Sequence, residues 1–348
     1  MSPRLALTAL VLLAASGCAE RVATARPQDF VAYRSYQWPT TTKDAQADWN
    51  PMLNQVVARA AGGFTVLTEG KGKQDYFVAE DKRDTGLPSW INHYQFVFGP
   101  RQHMLRGSDG TMVPSADGLT VITLQSGGQP SRRQLSPKGF RPRSGQGWIF
   151  GQLQDRMYRA DEDGGVEELG PGFWPEPQEG ADAKGLAWQT TPLVEPDLWT
   201  ANPPLGRLVV RWRVGELDEY PACTEARWDR RSGGLLATRV RAEAPAGKPW
   251  WQAGTEVVAI DGPGAQLRVI ASNARNADAN PVEPVVAVQT TDGKVLLVSW
   301  DGVDSLELDR GENPRWNFDG TRLMFEQRDT QGGNYGNLKV MVFRIDHH

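Results

Sequence analysis

Cysteine is almost absent from this chain: Cys18 and Cys223 are the only two in 348 residues. A disulfide framework is therefore excluded, and the fold must rest on an apolar core, which a chain of this length can bury. Histidine is nearly as scarce, at four residues, two of which, His347 and His348, end the chain. His93 and His103 do not have the spacing of a recognised metal site and no cysteine ligands join them. No Gly-x-Ser-x-Gly elbow accompanies them to make a nucleophile site, so they read as structural or surface residues. Gly70-Lys71-Gly72-Lys73 lacks the spacing of a phosphate loop, and Asp161-Glu162-Asp163 lacks that of a calcium loop. No basic excess exists either: the formal net charge is −4, which recruits neither nucleic acid nor an anionic membrane surface. Neither a cofactor nor a metal is expected. Cys223, with no histidine near it in sequence, reads as a buried structural residue, with a reactive thiol as the alternative.

Long apolar runs are also missing. The one near the start, Leu5 to Ala15, is too short to span a bilayer. Preceded by Arg4 and followed by small residues, it has the order of a signal peptide over residues 1–17. Ala15-Ser16-Gly17-Cys18 resembles the lipobox of bacterial lipoproteins, with one departure: Ala15 stands where that family usually has Leu. The resemblance implies cleavage before Cys18 and lipid on that cysteine, so that the protein meets the membrane through acyl chains. Ala19, in place of the Asp that favours inner-membrane retention, implies the outer membrane, facing the periplasm or the cell surface. The alternative is an ordinary secretory signal with a chance cysteine. Residues 18–29, polar and small, read as a tether.

Residues 30–73 read as a small α/β element. Val31 to Trp38 alternates as a strand. Met52, Leu53, Val56, Val57 and Ala60 recur at helical spacing within Asp44 to Ala61, and Phe64 to Leu67 is a second strand. The alternative is a helix packed on the edge of a larger β domain. From residue 74 to 348 no long helical period follows. Short apolar runs alternate with turns, among them Asp109-Gly110, Asp163-Gly164, Asp261-Gly262, Asp292-Gly293, Asp301-Gly302 and Asp319-Gly320. Asp-Gly favours hairpins because both positions tolerate positive φ. The 37 Gly and 13 Trp fit the same picture of many tight turns and many aromatic anchors, so the chain is mainly all-β.

The hairpins repeat. Asn313-Pro314-Arg315-Trp316-Asn317-Phe318-Asp319-Gly320 precedes the apolar run Leu323-Met324-Phe325, and the chain closes on Leu338 to Asp346. This resembles the Pro-x-Trp-Ser-Pro-Asp-Gly repeat of TolB-type β-propellers, with Asn317 and Phe318 in place of Ser-Pro. Weaker copies lie at Met112 to Leu124, at Gly147 to Leu169 and at Ala226 to Leu235. The resemblance implies a β-propeller of six or seven blades, whose last blade an N-terminal strand can complete. A β-sandwich with Asp-Gly hairpins is the alternative.

Gly170 to Trp199 is rich in Pro, Gly and acid and reads as a long loop between blades, with Trp174, Trp188 and Trp199 on it; Trp250-Trp251 occupies a similar stretch. These five tryptophans are candidates for binding a partner, and the alternative is that they plug gaps between blades. The expected function is that of a lipid-anchored envelope scaffold docking another envelope protein, a peptide or a glycan. An envelope hydrolase with its site in the propeller channel is the rival, distinguished by ionisable residues converging on the inner strands. The anchor is testable by itself: Cys18→Ser is expected to move the protein from the membrane to the soluble fraction on cell fractionation, and continued membrane association would overturn it.

Overall fold

The structure is a computed structural model that describes residues 24–39, 47–60, 63–77, 88–99, 104–106, 112–114, 118–125, 130–136, 139–145, 147–153, 155–161, 163–179, 184–191, 206–213, 215–241, 254–328 and 336–346. The described strands form seven antiparallel four-stranded sheets and one separate hairpin, Met104–Arg106 with Met112–Pro114. The sheets follow one another along the chain at residues 48–77, 89–136, 140–171, 173–221, 223–272, 274–310 and 312–345, and are numbered blades 1 to 7 in that order. The first strand of each blade touches the first strand of the next, and that of blade 7 touches that of blade 1. Seven inner strands thus surround one axis, the arrangement of a seven-bladed β-propeller.

The side-chain period of a strand explains why the blades must stack. In blade 1, Val56, Ala58 and Leu67 face blade 7, against Met324, Leu338 and Val340. Val57, Phe64 and Val66 point the other way, onto Trp90, Phe96 and Ile122 of blade 2. Blades 5 and 6 repeat this: Val257 and Ala259 meet Val286 and Val288, while Val285 and Ala287 turn toward Trp316 and Phe325 of blade 7. Each sheet is apolar on both faces, so it needs a neighbour on both sides.

Closure comes from the two ends of the described chain. Phe30–Pro39 is the outer strand of blade 7 and pairs antiparallel with Gly336–Ile345, from Phe30 opposite Ile345 to Pro39 opposite Asn337. This is the N-terminal strand that the repeat called for. Phe30 is buried between Trp316 and Phe343, ring centroids 5.6 and 5.8 Å away. Residues 24–29, expected to be part of a tether, instead pack onto blade 6. Ala25 is buried, its N–H donates to Glu283 Oε2 at 3.1 Å, and a short 3-10 turn, Pro27–Asp29, leads into the strand.

Two expectations are corrected. The helix expected over Asp44 to Ala61 does not form in its described part: Asp48–Trp49 and Gln55–Ala60 are the first two strands of blade 1. The residues at helical spacing were Met52 and Leu53, which are exposed in the turn, and Val56, Val57 and Ala60, which belong to a strand buried on both faces. A strand of that kind has no alternation to set it apart from a helix. The stretch Gly170 to Trp199 is not one long loop either. Phe173–Pro177 and Leu186–Gln189 are the inner two strands of blade 4. Cys223 is buried as expected, and burial pushes its thiol up to about 12, which keeps it protonated and inert. Among the described residues no helix is long and apolar enough to cross a membrane. Phe30→Ala removes the plug of the closing blade and is expected to lower unfolding free energy by about 3–5 kcal/mol, measured by urea denaturation.

Candidate functional site

Six of the seven inner strands end on one recurring register. The residues opposite the start of the second strand are Trp49, Trp90, Pro177, Trp228, Ala279 and Trp316. Just before each stands Asp48, Ser89, Glu176, Arg227, Asp278 or Arg315, and in blade 3, after a bulge at the same register, Arg143 takes this place with Ser144 following it. In blades 4 to 7 a bulge precedes this position, and its residue takes positive φ: Trp174 at 54°, Glu225 at 50°, Asn276 at 48° and Asn313 at 52°. The bulge re-aims the residues that follow it.

The ring positions bind blade to blade. The Trp90 N–H donates to Asp48 Oδ2 at 3.0 Å and the Trp316 N–H to Asp278 Oδ2 at 2.7 Å. Indole N–H groups return the link: Trp49 donates to the Arg315 carbonyl at 2.9 Å, Trp90 to that of Asp48 at 3.1 Å, and Trp228 to that of Glu176 at 2.9 Å. Ser144 Oγ donates to the Trp90 carbonyl. One layer out, Asn50, Asp229 and Asn280 each accept two N–H groups of the turn that follows, as Asx turns do. The amides of Asn50 and Asn280 then donate to the next blade, at the His93 and Gly320 carbonyls, 3.1 and 2.8 Å. Gly320 has φ +72°, and a Cβ there would stand 2.5 Å from Asn280 Oδ1, so this turn needs glycine.

The ring positions also surround a recess at the mouth of the channel. It is lined by Asp48, Glu176, Arg227, Asp278 and Arg315 with Glu179 and Arg230 at its edge, and spans about 420 Å³ counted out to solvent. This is the convergence of ionisable residues on inner strands that would favour the rival, catalytic reading. The carboxylates, however, are engaged. Asp48 and Asp278 hold the backbone of the next blade. Glu176 accepts from Arg143 at 3.1 Å and from Arg227 at 3.4 Å, and Glu179 pairs with Arg230 at 2.6 Å. Burial raises the Asp48 carboxyl above its ordinary value, against the Trp90 N–H that lowers it. Burial and the guanidinium of Arg227 push Arg315 down to about 9, with Arg143 acting in the same direction and Asp278 and Glu176 opposing.

Of the tryptophans singled out in the sequence, Trp174 and Trp188 do not line this recess. Trp174 sits at the bulge of blade 4, half-buried, its N–H donating to Gln152 Oε1 at 3.0 Å. Trp188 is half-buried in the second strand and lies where a side chain on Gly172 would fall. Trp199, Trp250, Trp251, Cys18 and His103 lie outside the described residues. His93 is in the turn of blade 2, its ring 4.7 Å from that of Tyr94. Among the described residues no three His, Cys, Asp or Glu side chains are grouped to hold a metal ion. Missed in the sequence were the ring residues as a set, although Asp48-Trp49 and Ser89-Trp90 repeat the pattern of Arg227-Trp228 and Arg315-Trp316.

No family model matches the sequence, and no curated protein matches it. Solved structures match the fold. YCF48 bound to D1 peptide is similar at TM-score 0.56 and 10% identity, over 92% of this chain and 99% of that one. The Myceliophteria thermophila Cps50 (Swd1) β-propeller domain is similar at TM-score 0.56 and 12% identity, over 88% and 99%. A chain of the mitotic checkpoint complex is similar at TM-score 0.58 and 10% identity, over 98% and 99%. At such identities the likeness establishes the WD40-like propeller fold and nothing finer.

Because the folded pKa of Asp48 is raised, the folded protein binds more protons than the unfolded one between the ordinary carboxylate value and the elevated one. Stability contributed by this group therefore falls as pH rises through that window. Asp48→Asn keeps an acceptor for Trp90 and is expected to flatten the slope, with no loss of stability at neutral pH. A steeper slope, read from urea midpoints across pH, would contradict this.

Proposed function

We propose that this protein is a docking scaffold of the cell envelope, anchored through lipid on Cys18, which receives a protein or peptide partner on the face carrying the channel mouth. The observation that carries the docking role is the composition of that face. The turns that follow the inner strands of blades 1, 2 and 6 expose Met52, Leu53, Tyr94 and Val282, apolar side chains that a docked partner would cover. Inside the apolar rim lie the guanidiniums of Arg227 and Arg315. Apolar contacts around arginine anchors are the makings of a protein-binding site.

The anchor fits this arrangement. Ala25 bonds to Glu283, in the blade 6 turn that also carries Val282, so the chain enters the propeller on the mouth face. Residues 19–24 span at most about 20 Å, which holds the face near the membrane surface. A partner that is itself an envelope protein would meet it there. YCF48, whose fold is similar, is bound to a peptide in its structure, which lends the peptide reading support by analogy. Trp199, Trp250 and Trp251 remain candidates for additional partner contacts in this reading.

A second reading, a hydrolase working in the channel, has one observation in its favour: Asp48 combines burial with a raised pKa, as a general acid needs. Streptogramin B lyase is similar in fold at TM-score 0.51 and 12% identity, over 88% of this chain and 97% of that one, so such a fold occurs in an enzyme.

A photo-crosslinking residue placed at Met52, Tyr94 or Val282 is expected to capture the same envelope protein in intact cells, and Tyr94→Glu is expected to weaken the recovery made from the other two. Crosslinks arising instead from Val31 and Tyr33 on the outer rim, with none at the mouth, would overturn the proposed face.

A further inference from the structure

We infer that the channel mouth is a carboxylate-binding site, in which Arg315, supported by Arg227, receives a single carboxylate of the docked partner. The inference rests on the docking reading and names the group by which the partner is held.

The argument begins with an account of charges. Four arginines and four carboxylates belong to the mouth and its immediate support, so the overall sum is balanced, but the pairing is not. Arg230 has Glu179. Arg143 and Arg227 share Glu176, at 3.1 and 3.4 Å. Asp48 and Asp278 spend their Oδ2 atoms on the backbone N–H groups of Trp90 and Trp316. Arg315 is left with a hydrogen bond from Nη1 to its neighbour, the Pro314 carbonyl, at 2.9 Å, and among the described residues no carboxylate pairs with it within ion-pair distance. A guanidinium carries five N–H donors in a fixed fork and cannot shed its charge cheaply, so a half-buried one without a carboxylate is costly to keep.

The backbone holds Arg315 where it is. It occupies the ring position of blade 7, after the bulge at Asn313, and its carbonyl accepts the indole N–H of Trp49. Its placement is therefore set by ring closure, and its side chain faces the shared recess rather than a partner of its own. The depression of its pKa has the same origin, burial beside Arg227 and Arg143, and an incoming anion would relieve it.

The chemistry selects the anion. A carboxylate is planar and matches the fork of a guanidinium with two parallel hydrogen bonds. Asp278 and Glu176 flank the site and repel a doubly charged phosphate more than a singly charged carboxylate. Met52, Tyr94 and Val282 around the rim suit the apolar neighbours of such a carboxylate on a peptide rather than a free inorganic ion.

The test uses the folded protein with small probes. The arginine Nε–H resonances, with that of Arg315 assigned through Arg315→Gln, are followed by NMR at constant ionic strength. The probes are N-acetylglycylglycine, which offers a terminal carboxylate, N-acetylglutamate α-amide, which has only the side-chain carboxylate free, N-acetylglycine amide, sodium phosphate and sodium chloride. The expected result is a saturable shift of the Arg315 signal with one or both carboxylates, at millimolar affinity, and none with the amide or chloride. Whichever carboxylate binds more tightly identifies a chain terminus or an acidic side chain as the source. Arg315→Lys keeps the charge but loses the fork, and is expected to weaken binding by about tenfold or more. Arg159→Gln, remote from the mouth, is expected to leave it unchanged. Amide spectra of each variant show that it is folded. No saturable response, an equal response to chloride or phosphate, or binding that survives in folded Arg315→Gln would overturn the inference. Should crosslinking at Met52 or Val282 persist in that case, docking stands without the carboxylate.

Discussion

A blade of this protein cannot exist alone, because both of its faces are apolar. Val56 and Val57, adjacent in sequence, are each fully buried, one against blade 7 and the other against blade 2. The same holds for Val285 and Val286 between blades 5 and 7. Every face finds cover only when the ring is complete, so the pairing of Phe30–Pro39 with Gly336–Ile345 does more than add a strand. It joins the two ends of the described chain in one sheet and gives blades 1 and 7 their second neighbours. Among the described residues Cys223 is free, and this closure takes the place that covalent staples hold in disulfide-bonded folds.

Closure creates a second problem, on which the site depends. Each inner strand is an edge strand, with backbone groups that no strand on the channel side can satisfy. The blades solve it with side chains. Indoles of Trp49, Trp90 and Trp228 reach back to carbonyls of the preceding blade, while Asp48 and Asp278 reach forward to N–H groups of the following one. Carboxylate oxygens engaged in this way are withdrawn as counter-ions. The arginines alongside them are therefore under-neutralised, and the mouth becomes receptive to an anion. The stabilising scheme of the ring and its chemistry are one arrangement of the same residues, which is why the bulges at Glu225, Asn276 and Asn313 recur beside it.

Much of this was legible beforehand where the pattern is local. The turn Asn317 to Gly320, the strands on either side of it and the need for an N-terminal strand in the last blade could all be read from the residues. What misled were segments whose burial is two-sided or whose composition is unusual. Gln55–Ala60 lost its alternation because blades press on both of its faces, and so imitated a helix. Phe173–Pro177 has the composition of a loop through its two prolines, yet at a bulged inner edge a missing N–H costs little.

The amino-acid sequence by itself determined the hairpin texture, the repeat and thus the propeller, since Asp-Gly turns and apolar runs depend only on neighbours along the chain. It also contains the lipobox-like front end. The tertiary structure alone decided the number of blades and which residues meet at the axis. Asp48, Glu176, Arg227, Asp278 and Arg315 come from distant parts of the chain, and no periodicity of charge links them. They converge because each stands at the same place in its own inner strand, and only a closed ring turns an equal place in five strands into one site.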